Sequence, residues 1–405
     1  MDSPPTRLAS PRSRPFDGTR VTPLRIVLSG MIAADPYQGG ATWAVLQYLL
    51  GLRRLGHDVC FVEPIATTAL QPEGTSLAAS RNAQYFADVV RDLRPAGPAA
   101  LLLEGSHETV GASYADLQRF TADADLLINI SGLLADGGLL HSIPVRVYLD
   151  LDPAFNQLWH AVQHIDRRFD GHTHFATVGQ LIGTPECAVP TCGVEWIPTL
   201  QPLVLDDWPA ADARPTQDIT TIANWRGYGS IEWNGVLYGQ KAHSFREFMA
   251  LPVLARDTFR VALAIHPGET RDCNSLKAHN WIVVDPQDVA GTPDSYKHFI
   301  RSSKAEIGIA KSGYVKSRSG WFSDRSVCYL ASGRPVMAQD TGFGAGLPIG
   351  NGLLAFSTME DAVAAIDDLN THYDRHARAA RDLAVEYFDA SKVLPHLLSR
   401  VAARP

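Results

Sequence analysis

The sequence predicts an α/β protein built from two Rossmann-like domains that face each other across a cleft, with a helical tail crossing back onto the first domain. Three observations predict it. Arg25 to Pro64 reads as strand, glycine-bearing loop, helix, strand. The same alternation of short apolar runs with helix-period segments continues for most of the chain. Between Gly193 and Pro215 it breaks into a stretch dense in proline and tryptophan, and a second α/β series starts afresh.

Taken in order, residues 1–23 carry Arg, Pro and Ser without an apolar segment, so they read as a disordered tail and not as a secretory signal. The first domain spans 24–205. Ile26 to Leu28 form its first strand and Gly30 to Gly40 a loop. From Ala41, Trp43, Leu46, Leu49, Leu50 and Leu52 recur at helical spacing until Gly56 supplies a stop, and a second strand follows at once. Helical segments at 81–93 and 113–120 alternate with apolar runs at 99–103, 126–130, 145–153 and 174–179. Ligands collect beyond the carboxyl ends of such strands, which puts Ser131, Asp150 and Asp152 near the cleft. The second domain, 206–370, opens with the strand "DITTIANW", a glycine-rich loop and the helix "SFREFMAL". Its later strands are "FRVALAIHP", "NWIVVDP", "AEIGIA", "RPVMAQ" and "GLLAF", with helices at 295–303, 323–331 and 361–369. The tail, 371–405, is helical and carries Leu383, Val385, Tyr387 and Phe388 to a partner on the first domain.

Composition narrows the function. The 405 residues exceed what one core usually supports, and 45% hydrophobic with 20% charged residues is ordinary for a globular chain. A net charge of −7 argues against a nucleic-acid partner, whose footprint is a basic face. No apolar run approaches the roughly 20 residues of a membrane span. The five cysteines are scattered and odd in number, which fits reduced thiols in the cytoplasm. Cys187 and Cys192 are close, but no histidine set completes a zinc site.

Two constellations carry chemistry. Arg226 follows a strand and Lys241 precedes a helix, with Gly227, Gly229, Gly235 and Gly239 between them; a cation at each end of a glycine-rich loop suits a diphosphate. Arg318, Ser319 and Gly320 lead to a helix capped by Ser323, so a guanidinium, hydroxyls and free N–H groups converge there. Asp324 falls in that helix's first turn, and Trp321 and Phe322 offer rings for a base or sugar. In the first domain, Gly39 and Gly40 open a helix N-terminus that favours an anion, or else serve a tight turn.

"DPYQGGATWAVLQYLLGLRRLGHDV" resembles the "P-x-x-G-G … L-x-x-x-G-H-x-V" opening of the GT-B-fold glycosyltransferases, in particular their family-4-like branch, and "YLASGRPVMAQDTGF" is similar to their "A-x-G-x-P-V-V-A-x-D-x-G-G" signature. The resemblance runs from about Leu24 to the final helix. It implies a donor diphosphate between the domains, touching Gly39, Gly40, Arg226 and Lys241. The branch's Glu-x7-Glu pair would fall at Gly320 and Cys328, neither of them acidic, so its retaining stereochemistry does not carry over.

The expectation is a cytoplasmic, hexosyltransferase-type enzyme that moves sugar from a nucleoside diphosphate sugar to a small or medium-sized acceptor. The donor is a co-substrate, and neither cofactor nor metal is implied. Asp35, Asp152 and Asp324 are the candidate catalytic carboxylates, with His172 and His174 behind them as bases. Arg318, Ser319, Gly320 and Ser323 join Gly39, Gly40, Arg226 and Lys241 as donor contacts, and the domains are expected to close on the nucleotide as a hinge. The alternatives are a non-catalytic nucleotide or sugar-nucleotide binding protein, and a nucleotide-dependent oxidoreductase. "SGMIAADPYQGG" lacks the G-x-G-x-x-G spacing the oxidoreductase needs.

Overall fold

The computed structural model describes residues 23–92, 97–211 and 216–402. The expected N-terminal tail lies outside the described residues, apart from Pro23. Eight strands form the first sheet: β1 Arg25–Ser29, β2 Asp58–Ile65, β3 Ala99–Leu103, β4 Thr109–Gly111, β5 Leu126–Ile130, β6 Val145–Asp150, β7 His174–Thr177 and β8 Trp196–Pro198. Their order is β4-β3-β2-β1-β5-β6-β7-β8, parallel except for β4. The second half contributes β9 Ile219–Asn224, a hairpin of β10 Ile231–Trp233 and β11 Val236–Tyr238, then β12 Phe259–Ala264, β13 Ile282–Val284, β14 Ala305–Gly308, β15 Val336–Gln339 and β16 Leu353–Phe356. Apart from the hairpin these strands pair in parallel, in the order β13-β12-β9-β14-β15-β16.

The central strands are apolar on both faces because helices cover both. Ile26 and Leu28 of β1 meet Leu46, Leu49 and Leu52 of the first helix in one cluster, while Val27 turns to Leu117 and Phe120 in another. The first helix spans Gly39–Arg54, so both glycines belong to its first turn rather than to the preceding loop. Neither has a left-handed φ. Their reason is close approach: a Cβ on Gly39 would lie 2.4 Å from the Thr292 carbonyl oxygen, and one on Gly40 2.8 Å from the Tyr296 ring.

The Pro- and Trp-rich connection is packed chain. It includes β8, buries Trp208 completely, and donates the Val204 N–H to Gln47 Oε1 at 2.7 Å. The glycine-rich loop after β9 also differs from expectation. Asn234 and Gly235, both with positive φ, form the two-residue turn of the β10–β11 hairpin. Ile231 and Tyr238 carry it across to the first half, into a cluster with Tyr148, Phe155 and Phe169. The following helix is Lys241–Glu247, three residues earlier than "SFREFMAL".

The tail crosses back. Helix Tyr373–Leu383 runs into a π-turn at Ala384–Phe388 and then helix Ala390–Ala402. Leu203 and Ala390 join the connection to the tail, with Leu203 N–H to Phe388 O at 2.6 Å and Ala390 N–H to Leu203 O at 2.8 Å. The last helix lies on Gly51 of the first, where a Cβ would come within 2.5 Å of Leu394. Among the described residues no helix is long and apolar enough to cross a membrane.

Candidate active site

A cavity of 680 Å³ opens at the carboxyl ends of β9, β12 and β13, with Asn224, Arg226, His266, Glu269 and Gln287 among its walls. It shares Asn224, Ala264, Pro286 and Gln287 with a 250 Å³ cleft between the halves. That cleft is bounded by Tyr37, Gly39 and Gly40 on one side and Tyr296, Asp324 and Arg325 on the other. Two helix N-termini face it, Gly39–Arg54 and Asp324–Ala331; neither N-cap residue, Gln38 or Ser323, bonds a helix N–H through its side chain, while the Asp324 carboxyl takes the N–H groups of Asp324 and Arg325. Open N–H groups with the positive end of the helix dipole make such a cleft receptive to an anion.

Arg325 is the cation at its wall. Its Nε donates to Glu306 Oε1 at 2.5 Å and its Nη1 to the Ile222 carbonyl at 2.9 Å. Burial works against its charge, but the buried Glu306 outweighs that and raises the pKa. Asp324 beside it has its pKa raised by burial, a shift opposed by Arg325 and by the backbone N–H groups of the helix start.

The first loop is held from beneath. Glu63, fully buried at the end of β2, accepts from the Ala33 N–H at 2.7 and 2.9 Å and from the Ala34 N–H at 2.6 Å. Asn82 donates to the Ala33 carbonyl at 2.8 Å. Burial pushes the Glu63 carboxyl up to about 7, with the backbone bonds pulling the other way.

The remaining expected residues divide. Gly39, Gly40 and Asp324 come together in the cleft, and Ser323 holds the N-cap position with its hydroxyl donating to Asp324 Oδ1 at 3.5 Å. Arg226 lines the large cavity, paired with Glu269 at 2.5 Å. Lys241 does not join it: the side chain is buried and its ammonium donates to the Ile309 carbonyl. Burial, with the charges of Arg325 and Lys311, drives its pKa well down, so it is no mobile point charge.

Arg318, Ser319 and Gly320 line neither cavity. The Ser319 carbonyl accepts from the Leu181 N–H at 2.9 Å, a Cβ on Gly320 would stand 3.1 Å from Leu181, and Arg318 points to Asp340 at 3.5 Å. Ser319 and Gly320 seal a seam between the halves. Phe322 is core against Phe343 and Phe388, and Trp321 stacks on Tyr314 at 4.1 Å.

Asp152 is occupied as well. It accepts from Tyr228 at 3.0 Å, from Lys311 at 3.2 Å and from Tyr314, forming a bridge between the halves in which Lys311 also sits 4.2 Å over the Tyr228 ring. Asp35 is exposed, bonded to Gln38 at 2.6 Å, and lines neither cavity. Asp150 is buried and accepts from Asn156, Gln157 and Thr177, a structural role. His172 bonds the Arg168 carbonyl and Asn129, and burial lowers its pKa; His174 lies buried beside Thr173.

Sequence reasoning missed Arg325, Glu63 and the hairpin. Each left a signal: an arginine next to the first-turn aspartate in "FSDRS", a lone acid inside the apolar strand "DVCFVEP", and an Asn-Gly between alternating apolar residues.

No protein-family profile matches the chain, and no curated protein matches it in sequence. Solved structures do match. AviGT4, a glycosyltransferase involved in avilamycin A biosynthesis, is 14% identical, with 94% of this chain and 97% of that one aligned at a TM-score of 0.53. Anabaena Alr3699/HepE, in complex with UDP and glucose, is 10% identical over 94% of this chain and 100% of that one, at 0.57. An α-glucosyltransferase in complex with UDP and a 13-mer DNA is 11% identical over 93% and 99%, at 0.56. This likeness establishes the GT-B fold of two facing α/β halves.

Proposed function

We propose that this protein is a glycosyltransferase that takes a sugar from a nucleoside diphosphate donor and passes it to a small or medium-sized acceptor. One observation carries the reading: a 680 Å³ cavity shares the wall Asn224, Ala264, Pro286 and Gln287 with a cleft where two helix N-termini and Arg325 converge. Breaking a glycosyl phosphate leaves charge on the departing diphosphate. Fixed N–H groups and a guanidinium held in place by Glu306 stabilise that charge without reorganising as it forms. The UDP bound in HepE and in the α-glucosyltransferase, which share the fold, supports a nucleotide in this place.

Arg226, at the large cavity, serves the nucleoside end of the donor. Lys241 acts from below through the Ile309 carbonyl and the neighbouring charges, as a positioning residue. Transfer without a divalent ion belongs to the same proposal, with Arg325 and the helix ends carrying the charge. All five cysteines are free, which fits a reducing compartment such as the cytoplasm.

The test is a thermal-shift screen with UDP, GDP and dTDP, followed by incubation with nucleotide sugars in the presence and absence of EDTA. A rise in melting temperature with one diphosphate, and release of that diphosphate from its sugar form in both conditions, are expected. A shift without turnover would leave a binding protein. No shift with any of the three would end the nucleotide reading.

A further inference from the structure

The flank of the second sheet at β9, β12 and β13 opens into the 680 and 250 Å³ cavities. At β6 and β14 the halves touch instead. Asp152, two residues past β6, meets Lys311 and Tyr314, which follow β14, and Tyr228, which follows β9. None of these four walls either cavity. The close approach continues along this side: a Cβ on Gly313 would stand 2.5 Å from the Phe155 ring, and one on Gly342 2.9 Å from Leu181. The Leu181 N–H donates across the seam to the Ser319 carbonyl at 2.9 Å.

One charged node sits at the centre of this contact. Asp152 Oδ1 accepts from Lys311 Nζ at 3.2 Å, from Tyr228 at 3.0 Å and from Tyr314, and Lys311 also donates to the Tyr228 hydroxyl. The ammonium stands 4.2 Å over the Tyr228 ring and 5.2 Å from the rings of Phe155 and Tyr314, where a cation is favoured. Asp152 and Phe155 belong to the first half, and the other three to the second. The Asp152 backbone is itself pinned, its N–H donating to Asp150 Oδ1 at 3.0 Å. Burial, and after it the Asp152 charge, drive both phenols well above their ordinary pKa, so they stay protonated as donors. Water still reaches the pair: the Lys311 and Asp152 side chains are 22% and 33% exposed.

A tie of this kind parts differently from an apolar one. Separating apolar faces exposes area to water and costs in proportion to it, whereas separating an ion pair returns two charges to water, and their hydration offsets much of the lost attraction. We infer that the node is a salt-sensitive clasp: it holds the flank at β6 and β14 shut, and when Lys311 leaves Asp152 that flank opens as a local unit while both sheets stay folded. The hairpin, with Ile231 and Tyr238 packed among apolar side chains of the first half, is the fixed fastening on this side. The clasp is the releasable one. It provides a second way into the space between the halves, apart from the two cavities, with an opening frequency set by ionic strength. The inference stands on these contacts and does not depend on the nucleotide reading.

Native-state amide hydrogen exchange of the full chain tests it, read at Leu181, whose N–H crosses the seam, against amides of β1 and β12 inside the two sheets. In Asp152→Asn and in Lys311→Met, exchange at Leu181 should be about tenfold faster, with the β1 and β12 amides within about twofold of wild type. The double variant should be no faster than the faster single one, because either change removes the same tie. Raising sodium chloride from about 0.05 M to about 1 M should speed Leu181 exchange about threefold in wild type and leave the double variant unmoved. Exchange at Leu181 that keeps its wild-type rate in both single variants, that rises only in step with β1 and β12, or whose increases multiply in the double variant would overturn the clasp. So would a wild type indifferent to salt, a result that needs no substitution.

Discussion

The chain leaves the first strand of its two sheets in opposite ways. β1 and β9 hold comparable places inside their sheets: β9 has two parallel strands on one flank, and β1 has two parallel strands with the antiparallel β4 beyond them. After β1, the loop is tied to Glu63 and Asn82 and delivers a helix end to the cleft. After β9, the chain departs into a hairpin that packs Ile231 and Tyr238 into the first half, and only then begins a helix, with Lys241 buried at its start. One crossing opens onto the cleft, the other straps the halves together. The cleft-facing helix of the second half begins instead at Asp324, after β14.

The largest effect that would sharpen this contrast is expected at Arg325. Arg325→Ala should lower transfer by on the order of 100-fold or more through lost stabilisation of the leaving diphosphate. It should also cost about 3–5 kcal/mol of stability, because Glu306 is left buried and unpaired. Lys241→Met, by contrast, should keep the thermal shift given by the diphosphate. If Lys241→Met abolishes that shift and Arg325→Ala spares it, the two crossings have been assigned the wrong way round.

Next comes the strap. Tyr238→Ala removes a buried ring from the cluster shared by the halves and should destabilise by about 3–5 kcal/mol in urea melts. The same variant should increase the radius of gyration in scattering. An unchanged melt would show the hairpin to be a surface ornament.

The first crossing has a titration of its own. Burial raises the Glu63 carboxyl from 4.5 to about 7, so the folded chain binds a proton that the unfolded chain has already lost in that interval. Its contribution is therefore fully present below about pH 4.5 and is lost as pH rises through 7, by on the order of 3 kcal/mol. Urea midpoints at pH 5 and pH 8 should differ in wild type and converge in Glu63→Gln. A slope that persists in the variant would place its source elsewhere.

The smallest effect is expected at Arg226. Its ion pair with Glu269 is partly exposed and worth roughly 0–1 kcal/mol to the fold. Arg226→Ala should weaken nucleotide binding by less than about tenfold while leaving the melt unchanged. A larger loss would move the diphosphate towards the β9 crossing.

Most of the fold was legible because it is written in repeated local patterns. The strands of both halves announce themselves as apolar runs, and Gly56 punctuates the end of the first helix. The site was less legible because proximity in sequence is not proximity in space. Arg226 and Lys241 bracket one loop in the sequence, but the intervening hairpin carries the loop away from the cleft and leaves Lys241 facing the core. Arg318 to Gly320 are close to Ser323 in number, yet a left-handed turn at Arg318 and Gly320 sends Arg318 to Asp340 and the other two to Leu181. Gly39 and Gly40 were found by composition, while their partner Tyr296, 256 positions beyond Gly40, carries no mark of the contact.

The seat of the last helix on Gly51 bears on how the protein is made. A ribosome releases the chain from its amino end, so the first half emerges with the surface around Gly51 bare, and the helix that covers it through Ala390 and Leu394 follows more than 300 residues later. Until that helix emerges, the first half is an incomplete body with an apolar stripe open to other nascent chains. Synthesis at high density therefore favours aggregation at this stripe before the helix docks, and a stop codon ahead of Ala390 leaves it open for good.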